Sequence, residues 1–338
     1  MKKSKPTIHE IAKLLNIDSS TVSRALNDSK LVTQKTKDKV LKKAKEIGYQ
    51  RNMLASNLRK SKSNTIGVIV PRISRHFFSS TIAGIEEAAY THGYNVVIAQ
   101  SMEKLEREKR IVGNFISNRV DGVLVSVSME TVSAEHLERF NQTNTPLVFF
   151  DRALPNVNNS KVLIDDYQAS LQATEHLIEM GCKKIAHLSG PKNLAIYKNR
   201  LKGYKDALKL NDIPFDSKLV FASALHQEDG YRLADDIIKS KKAIDGIVSA
   251  NDLAAIGAMK KLKESKVRIP EDIAVVGFSN EPMSAVIEPA LSTVDQSGYD
   301  IGKIACNLLI DSLKNDGAIA TKTVTLSPTL IKRASTLR

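Results

Sequence analysis

Near residue 63 the apolar residues change their spacing, and that change constrains this chain more than any other feature. Before it they recur three and four positions apart, the period of a helix with one buried face. After it, short apolar runs of strand length alternate with amphipathic stretches of helix length. Thr65–Val70, Asn95–Ala99, Gly122–Val127, Pro146–Phe150, Val162–Ile164, Lys184–Leu188, Asp245–Ser249 and Ile273–Phe278 read as buried strands. Ser79–His92, Glu103–Asn118, Tyr167–Met180, Arg200–Leu210 and Asp252–Lys263 read as helices between them. Such alternation implies parallel sheets with helices on both faces. About eleven strands in some 270 residues are better divided than placed in one sheet. The expected fold class is an N-terminal all-α domain followed by an α/β core of two doubly wound parallel-sheet subdomains.

The charge divides at the same place. The 338 residues carry a formal charge of +13; residues 1–62 hold 16 Lys+Arg against 5 Asp+Glu, a net of +11, which leaves +2 for the rest. A basic module on a nearly neutral body points to a polyanion, either nucleic acid or an anionic membrane surface. No stretch reaches the ~18 uninterrupted apolar residues of a membrane-spanning helix. The start, Met1-Lys-Lys-Ser-Lys-Pro, is basic without an apolar segment behind it, so no secretory signal is expected. Cys182 and Cys306 have no Cys-x-x-Cys spacing, which argues against a disulfide scaffold or a zinc module. A soluble cytoplasmic protein is expected, with no membrane partner.

The basic module reads as three short helices. Thr7-Ile8-His9-Glu10 has the form of a capping box, and Ile8, Ile11, Ala12 and Leu15 follow at helical spacing. Asn16-Ile17 breaks the run, and Asp18 can cap a second helix over 19–26. There Val22, Ala25 and Leu26 face inward, while Ser19, Ser20, Ser23 and Arg24 face outward. A third helix begins near Thr33 and carries Thr36, Val40, Leu41, Ala44 and Ile47 to Gly48. Two helices joined by a tight turn, with a third beside them, make a helix-turn-helix unit. The outward face of helix 2 suits a DNA groove: a guanidinium donates in pairs to guanine, and hydroxyls reach phosphates or base edges. A solvated polar face is the plainer reading, against which stand Lys13, Lys30, Lys35, Lys37, Lys39, Lys42 and Lys43. A membrane-surface helix needs an apolar face, and these are used in packing.

The run Ile8-His-Glu-Ile-Ala-Lys-Leu-Leu-Asn-Ile-Asp-Ser-Ser-Thr-Val-Ser-Arg-Ala-Leu-Asn27 resembles the helix-turn-helix signature of the LacI/GalR family of bacterial transcription regulators. The resemblance implies that Ser19 and Ser20 discriminate operator bases, Arg24 reads a guanine, and Thr21, Ser23 and Asn27 lie near phosphates, with Thr7 at the start of the module. Tyr49-Gln-Arg-Asn-Met-Leu-Ala-Ser-Asn-Leu-Arg59 resembles the family's hinge helix, which folds on the operator. Leu58 matches the leucine that wedges into the minor groove, with Asn52 and Ala55 beside it, in keeping with the way apolar wedges unstack and bend DNA. Arg51 stands where the family usually has proline. The expected domains are 1–50 for DNA binding, 51–62 for the hinge and 63–338 for the effector-binding and dimerisation core. The core divides into about 63–163 plus 293–323 and about 164–290 plus 324–338.

Residues 65–335 resemble the same family's regulatory core, which is like a periplasmic sugar-binding protein. The matching stretches include Ile66-Gly-Val-Ile-Val-Pro-Arg-Ile-Ser-Arg-His-Phe-Phe78, Phe149-Phe-Asp-Arg152, Arg200-Leu-Lys-Gly-Tyr204, Ala250-Asn-Asp-Leu-Ala-Ala-Ile-Gly257, Val275-Val-Gly-Phe278 and Thr293-Val-Asp-Gln296. Three crossovers are expected, near 163–166, 289–294 and 322–326, with a ligand between the lobes at strand carboxyl ends. Phe77 and Phe78 suit either an apolar wall or the core. The family's Arg-x-x-Gly-Tyr motif puts the Arg200 guanidinium in the cleft; the plainer reading is a surface ion pair. Asp151 and Asn251 suit hydroxyl recognition or the capping of turns and helices, and Asp252 is expected to cap its helix. Gln296 lies near a crossover and touches ligand or hinge. Sugar-binding relatives often carry an aspartate pair after Val-Val-Gly-Phe; here Ser279, Asn280 and Glu281 stand instead.

No phosphate loop, nucleophile elbow or His-Glu-x-x-His is present, and the histidines lack metal-ligand spacing, so no catalysis, metal or cofactor is expected. Asp165-Asp166 and Asp235-Asp236 read as strand-end or solvated helix charges. The chain reads as an effector-controlled repressor, a homodimer on near-palindromic operator DNA, answering to a carbohydrate-related small molecule. The sequence shows no terminal leucine heptad, so the tetramer-forming helix of some relatives is not expected. The alternative is a solute-binding protein of a transport system, with an enzyme carrying a DNA-binding arm as a further one.

Overall fold

The computed structural model describes residues 6–49, 62–155, 157–240, 242–315 and 320–338. The chain divides into two units, Met1–Ser61 and Lys62–Arg338.

In the first unit, α1 (Ile8–Leu15), α2 (Ser19–Leu26) and α3 (Gln34–Glu46) enclose a small core of Ile11, Ala12, Val22, Ala25, Val40 and Ala44. Thr7 caps α1 by accepting from the Glu10 amide at 3.3 Å. Asn16, at φ 51°, ends α1 in the left-handed conformation that asparagine tolerates, and the Ile17 amide closes the turn on Ala12. Asp18 stands at the start of α2 without making the expected side-chain cap bond. Leu41 departs from the inward stripe: it is 52% exposed, because Val40 and Ala44 already fill the face of α3 that meets α1 and α2.

The second unit contains two six-stranded sheets. The first is built from β1 (Thr65–Val70), β2 (Asn95–Gln100), β3 (Gly122–Val125), β4 (Leu147–Phe150), β5 (Ser160–Ile164) and β11 (Thr323–Leu326), in the order β11-β5-β4-β3-β1-β2. All its pairings are parallel. The second uses β6 (Ile185–Ser189), β7 (Val220–Ala222), β8 (Gly246–Ser249), β9 (Ala274–Phe278), β10 (Ser292–Asp295) and β12 (Thr329–Ile331), in the order β12-β10-β9-β8-β6-β7. Only β10 with β12 is antiparallel there. Strand burial follows from helices on both faces; β1, β3, β4, β6, β8 and β9 are buried almost throughout.

Helices α4 (His76–Thr91), α5 (Leu105–Ser117), α6 (Glu138–Gln142) and α12 (Gly298–Lys314) accompany the first sheet. Helices α7 (Asp166–Glu179), α8 (Ala195–Leu210), α9 (Gln227–Lys239), α10 (Asp252–Glu264) and α11 (Pro282–Val286) go with the second. The α4–α12 pair approaches so closely that a Cβ on Gly84 would meet the Tyr299 carbonyl at 2.0 Å, and one on Gly302 the Thr81 carbonyl at 2.0 Å.

The pairing shifts two of the expected crossovers. Because β10 pairs with β9 and β12, residues 292–295 belong with the second sheet; because β11 pairs with β5, residues 323–326 belong with the first. The chain therefore crosses between Ile164 and Asp166, between Asp295 and Gly298, and between Leu326 and Thr329. An alternating apolar pattern marks a strand but not the sheet it joins, since the partner is distant in sequence.

Candidate functional site

In the first unit α2 presents a polar face opposite Val22 and Ala25. Ser20, Arg24 and Asn27 are exposed, and Ser19, Thr21 and Ser23 are half-buried. The Asn27 amide donates to the Ser23 carbonyl at 2.7 Å, which fixes the end of the helix. The surrounding lysines are not equivalent. Lys37 is buried to 9% exposure and its Nζ lies 2.6 Å from Asp28 Oδ1, so its charge is spent inside the module. Lys43 pairs with Glu46. Asn52, Ala55 and Leu58, together with Arg51, lie outside the described residues.

In the second unit the carboxyl ends of both sheets face a cavity of about 70 Å³, enough for several waters or part of a small ligand. All seven expected effector residues line it: Phe77, Phe78, Asp151, Arg200, Asn251, Ser279 and Gln296. They come from the segments following β1, β4, β6, β8, β9 and β10, the places where a doubly wound sheet leaves its crevice. Phe77 and Phe78 serve both readings, since they are buried in the core, stand edge to face at 5.2 Å, and also form part of the wall.

The polar residues are more committed than their types suggest. Arg200 is no surface ion pair. Its Nε and Nη2 lie 2.8 and 2.7 Å from Asp166 Oδ1, its Nη1 donates to the Ala250 carbonyl at 2.7 Å, and its plane rests 3.5 Å from the centre of the Phe278 ring. Asp166 is correspondingly buried rather than solvated, and burial pushes its carboxyl up to about 6 against the pull of the guanidinium. Asp165 takes the capping role there, accepting from the Gln168 amide.

The expected cap of α10 is corrected in the same way. Asn251, not Asp252, accepts from the Ala254 amide at 2.9 Å, and its own amide donates to the Leu225 carbonyl. Asp252 points inward, accepting from the Thr293 hydroxyl and the Glu281 amide, both at 2.7 Å, and burial raises it to about 6. A β-region residue immediately before the helix is where a side chain can turn back on the first amides, and Asn251 holds that position at φ −158°.

Several lining residues escaped the sequence reading. Arg152, which follows Asp151 in a stretch already singled out, donates from Nη1 to Glu103 Oε1 and Oε2 at 3.1 and 2.9 Å. Burial lowers the Arg152 pKa, but Glu103, Tyr197 and Asp151 together outweigh it and raise it. Arg75 and Tyr197 also belong to the polar wall, as does Glu281, which the sequence offered as a substitute for the aspartate pair of sugar-binding relatives. Burial lowers Arg75 and raises Tyr197 and Glu281. The rule that ligands gather beyond strand carboxyl ends covered all of them; their residue types carried no further signal. The site also carries backbone strain, since Asp151 (φ 59°), Ser279 (φ 114°) and Asn280 (φ 48°) occupy the positive-φ region, at a cost of about 1–3 kcal/mol for a poorly suited residue.

Among known proteins, residues 7–52 match the family described as "Bacterial regulatory proteins, lacI family", and residues 174–336 match a periplasmic binding protein-like domain. The ribose operon repressor of Halalkalibacterium halodurans is 32% identical over 308 residues, 91% of this chain and 90% of that protein. The chain belongs to the LacI family. Among solved structures, the lac repressor dimer bound to operator and the anti-inducer ONPF aligns with a TM-score of 0.88 at 26% identity, over 99% of this chain and 100% of that one. A LacI-family regulator from Enterococcus faecium with bound ribose aligns with a TM-score of 0.71 at 26% identity, over 80% of this chain and 98% of that one. This LacI-family chain is thus a DNA-binding transcription regulator with a sensor core like a periplasmic binding protein. Among its described residues, no helix is long and apolar enough to cross a membrane.

Proposed function

We propose that this chain is a repressor that binds near-palindromic operator DNA as a homodimer and loosens or tightens its hold when a sugar-related effector occupies the cleft. One observation carries the reading: residues from the ends of six strands in two sheets converge on one polar cavity, in a chain whose separate basic unit is a helix-turn-helix. In this reading Arg24 reads a guanine, Ser19 and Ser20 test neighbouring bases, and Thr7, Thr21, Ser23 and Asn27 hold phosphates. Asn52, Ala55 and Leu58 act in the hinge, with Leu58 as the minor-groove wedge. Phe77, Phe78, Asp151, Arg200, Asn251, Ser279 and Gln296 contact or orient the effector. Residues 1–50, 51–62 and 63–338 divide these tasks. The protein works in the cytoplasm, where its DNA is, and performs no catalysis.

The coupling is a population shift: a ligand that prefers one arrangement of the lobes favours the hinge conformation that goes with it. The relatives support the effector class, one being called a ribose operon repressor and another holding ribose. A transport solute-binding protein shares the core fold but gives residues 7–52 no role. The test is selection of duplexes from a random DNA pool, followed by anisotropy titration of the enriched site with and without a panel of sugars. An enriched two-fold symmetric motif, with affinity altered by a sugar, is the expected result. Enrichment of no motif, or equal affinity for random DNA, would refute the operator-binding reading.

A further inference from the structure

The cavity wall turns sharply after β9. Ser279 (φ 114°) and Asn280 (φ 48°) are consecutive residues at positive φ, a conformation that persists only where the surroundings over-determine it. Strand β10 supplies part of that hold. The Ser279 backbone amide donates to the Val294 carbonyl at 2.8 Å, and the Asn280 backbone amide to Thr293 Oγ1 at 3.2 Å. The Asn280 side chain supplies the rest. Its Oδ1 accepts from Arg333 Nη2 at 2.8 Å, and its Nδ2 donates to Asp295 Oδ2 at 3.0 Å.

Both partners stand at crossovers. Asp295 is the last residue of β10, and its Oδ1 accepts at 2.7 Å from the backbone amide of Ser297, the residue before α12. Between them Gln296 lines the cavity and is buried. Arg333 lies just beyond β12, past the third crossover, and its Nη1 donates to Ser284 Oγ and the Leu291 carbonyl, both at 2.8 Å. A chain of hydrogen bonds thus runs from Arg333 through Asn280 and Asp295 to Ser297, where the backbone leaves the second sheet for α12 on the first. Ser297 is at φ 51° and makes no side-chain cap bond of its own, which leaves Asp295 to hold the start of that helix.

The residue between Arg333 and Asp295 must accept on one side and donate on the other, because a guanidinium has only donors and a carboxylate only acceptors. An amide does both. A carboxylate at 280 would set two acceptors against each other, and an apolar side chain would take a partner from both neighbours. We infer that Asn280 is a positioning residue, whose amide ties the cavity wall to the second crossover and so sets how freely the two lobes turn about it. Wall and crossover then move together: a molecule that displaces Ser279 or Gln296 also acts on the start of α12.

The test is hydrogen–deuterium exchange of the full chain, read by mass spectrometry, in wild type, Asn280→Asp, Asp295→Asn and the variant carrying both. The double variant reverses the pair at unchanged total charge. Its carboxylate at 280 accepts from Arg333 and from the new amide at 295, whose oxygen still accepts from Ser297. Each single substitution should speed exchange roughly 10-fold over residues 296–301, with β8 and α1–α3 unchanged, and the double variant should return to the wild-type rate. Wild-type exchange at the crossover in Asn280→Asp, or a double variant no slower than the singles, overturns the inference. A rise spread evenly over the core does so too, since it marks lost stability without a local tie. Should Asn280→Asp fail to fold, the double variant decides: wild-type exchange supports the tie, and failure to fold overturns it. Neither effector nor DNA enters the measurement, so its outcome is separate from the fate of the operator-binding and carbohydrate readings.

Discussion

Arg24 and Lys37 carry the same charge in the same small module, and their surroundings give them different work. Arg24 is exposed on α2, whereas Lys37 is folded onto Asp28. Arg24→Ala should therefore cost about 1–3 kcal/mol on the selected operator and much less on random DNA. Equal losses on both would show a phosphate contact instead of base reading. Lys37→Ala should lower the melting temperature of the module while leaving the salt slope of DNA binding nearly unchanged, which anisotropy at several salt concentrations measures. Asp252 makes a pH prediction. Its carboxyl is raised to about 6 in the folded chain from 3.8, so between about 4 and 6 the folded state binds the extra proton. Its contribution is fully present below about 4, is lost as pH rises to about 6, and stays flat above, a fall on the order of 3 kcal/mol. Urea unfolding of wild type and Asp252→Asn across this range should differ by that slope; parallel curves would sink the assignment.

At the scale of elements, periodicity located the helices and strands, while their ends followed contacts the pattern does not contain. The helix expected from Ser79 begins at His76, and the one expected from Arg200 begins at Ala195. Neither has a side-chain cap bond to announce it; the residues before them, Arg75 and Leu194, are not capping types. Where a cap was legible, at Thr7, the helix began where the sequence put it. Packing of α4 on α12 depends on the absence of two side chains, so Gly84→Ala should overpack a contact made by backbone, which cannot rotate away. A loss of about 1–3 kcal/mol in core stability is expected by urea denaturation, with the DNA-binding unit unaffected. A neutral effect would mean the pair separates at little cost.

In the whole molecule residues 1–62 carry a net charge of +11 and the remainder +2. DNA affinity should fall steeply with salt, by a log–log slope of about −0.9 for each phosphate neutralised, while sugar binding in the core stays nearly constant. Calorimetry should resolve separate transitions for the two units, and a bound sugar should raise that of the core, since a ligand stabilises the state that binds it. A single transition, shifted as one by the ligand, would show that the units unfold together.

The sequence by itself determined the two units, the α/β class of the larger one and the strand ends that line its cavity. Those follow from local period, local charge and turn chemistry, all carried by neighbouring residues. Only the tertiary structure decided which sheet β10 and β11 join, that Asn251 rather than Asp252 caps α10, and that Arg200 spends its charge on Asp166. Each of these depends on a partner far along the chain, and the partner sets whether a polar group is buried, bonded or open to a ligand. A residue type states what a side chain can bond; the fold states what it has left to offer.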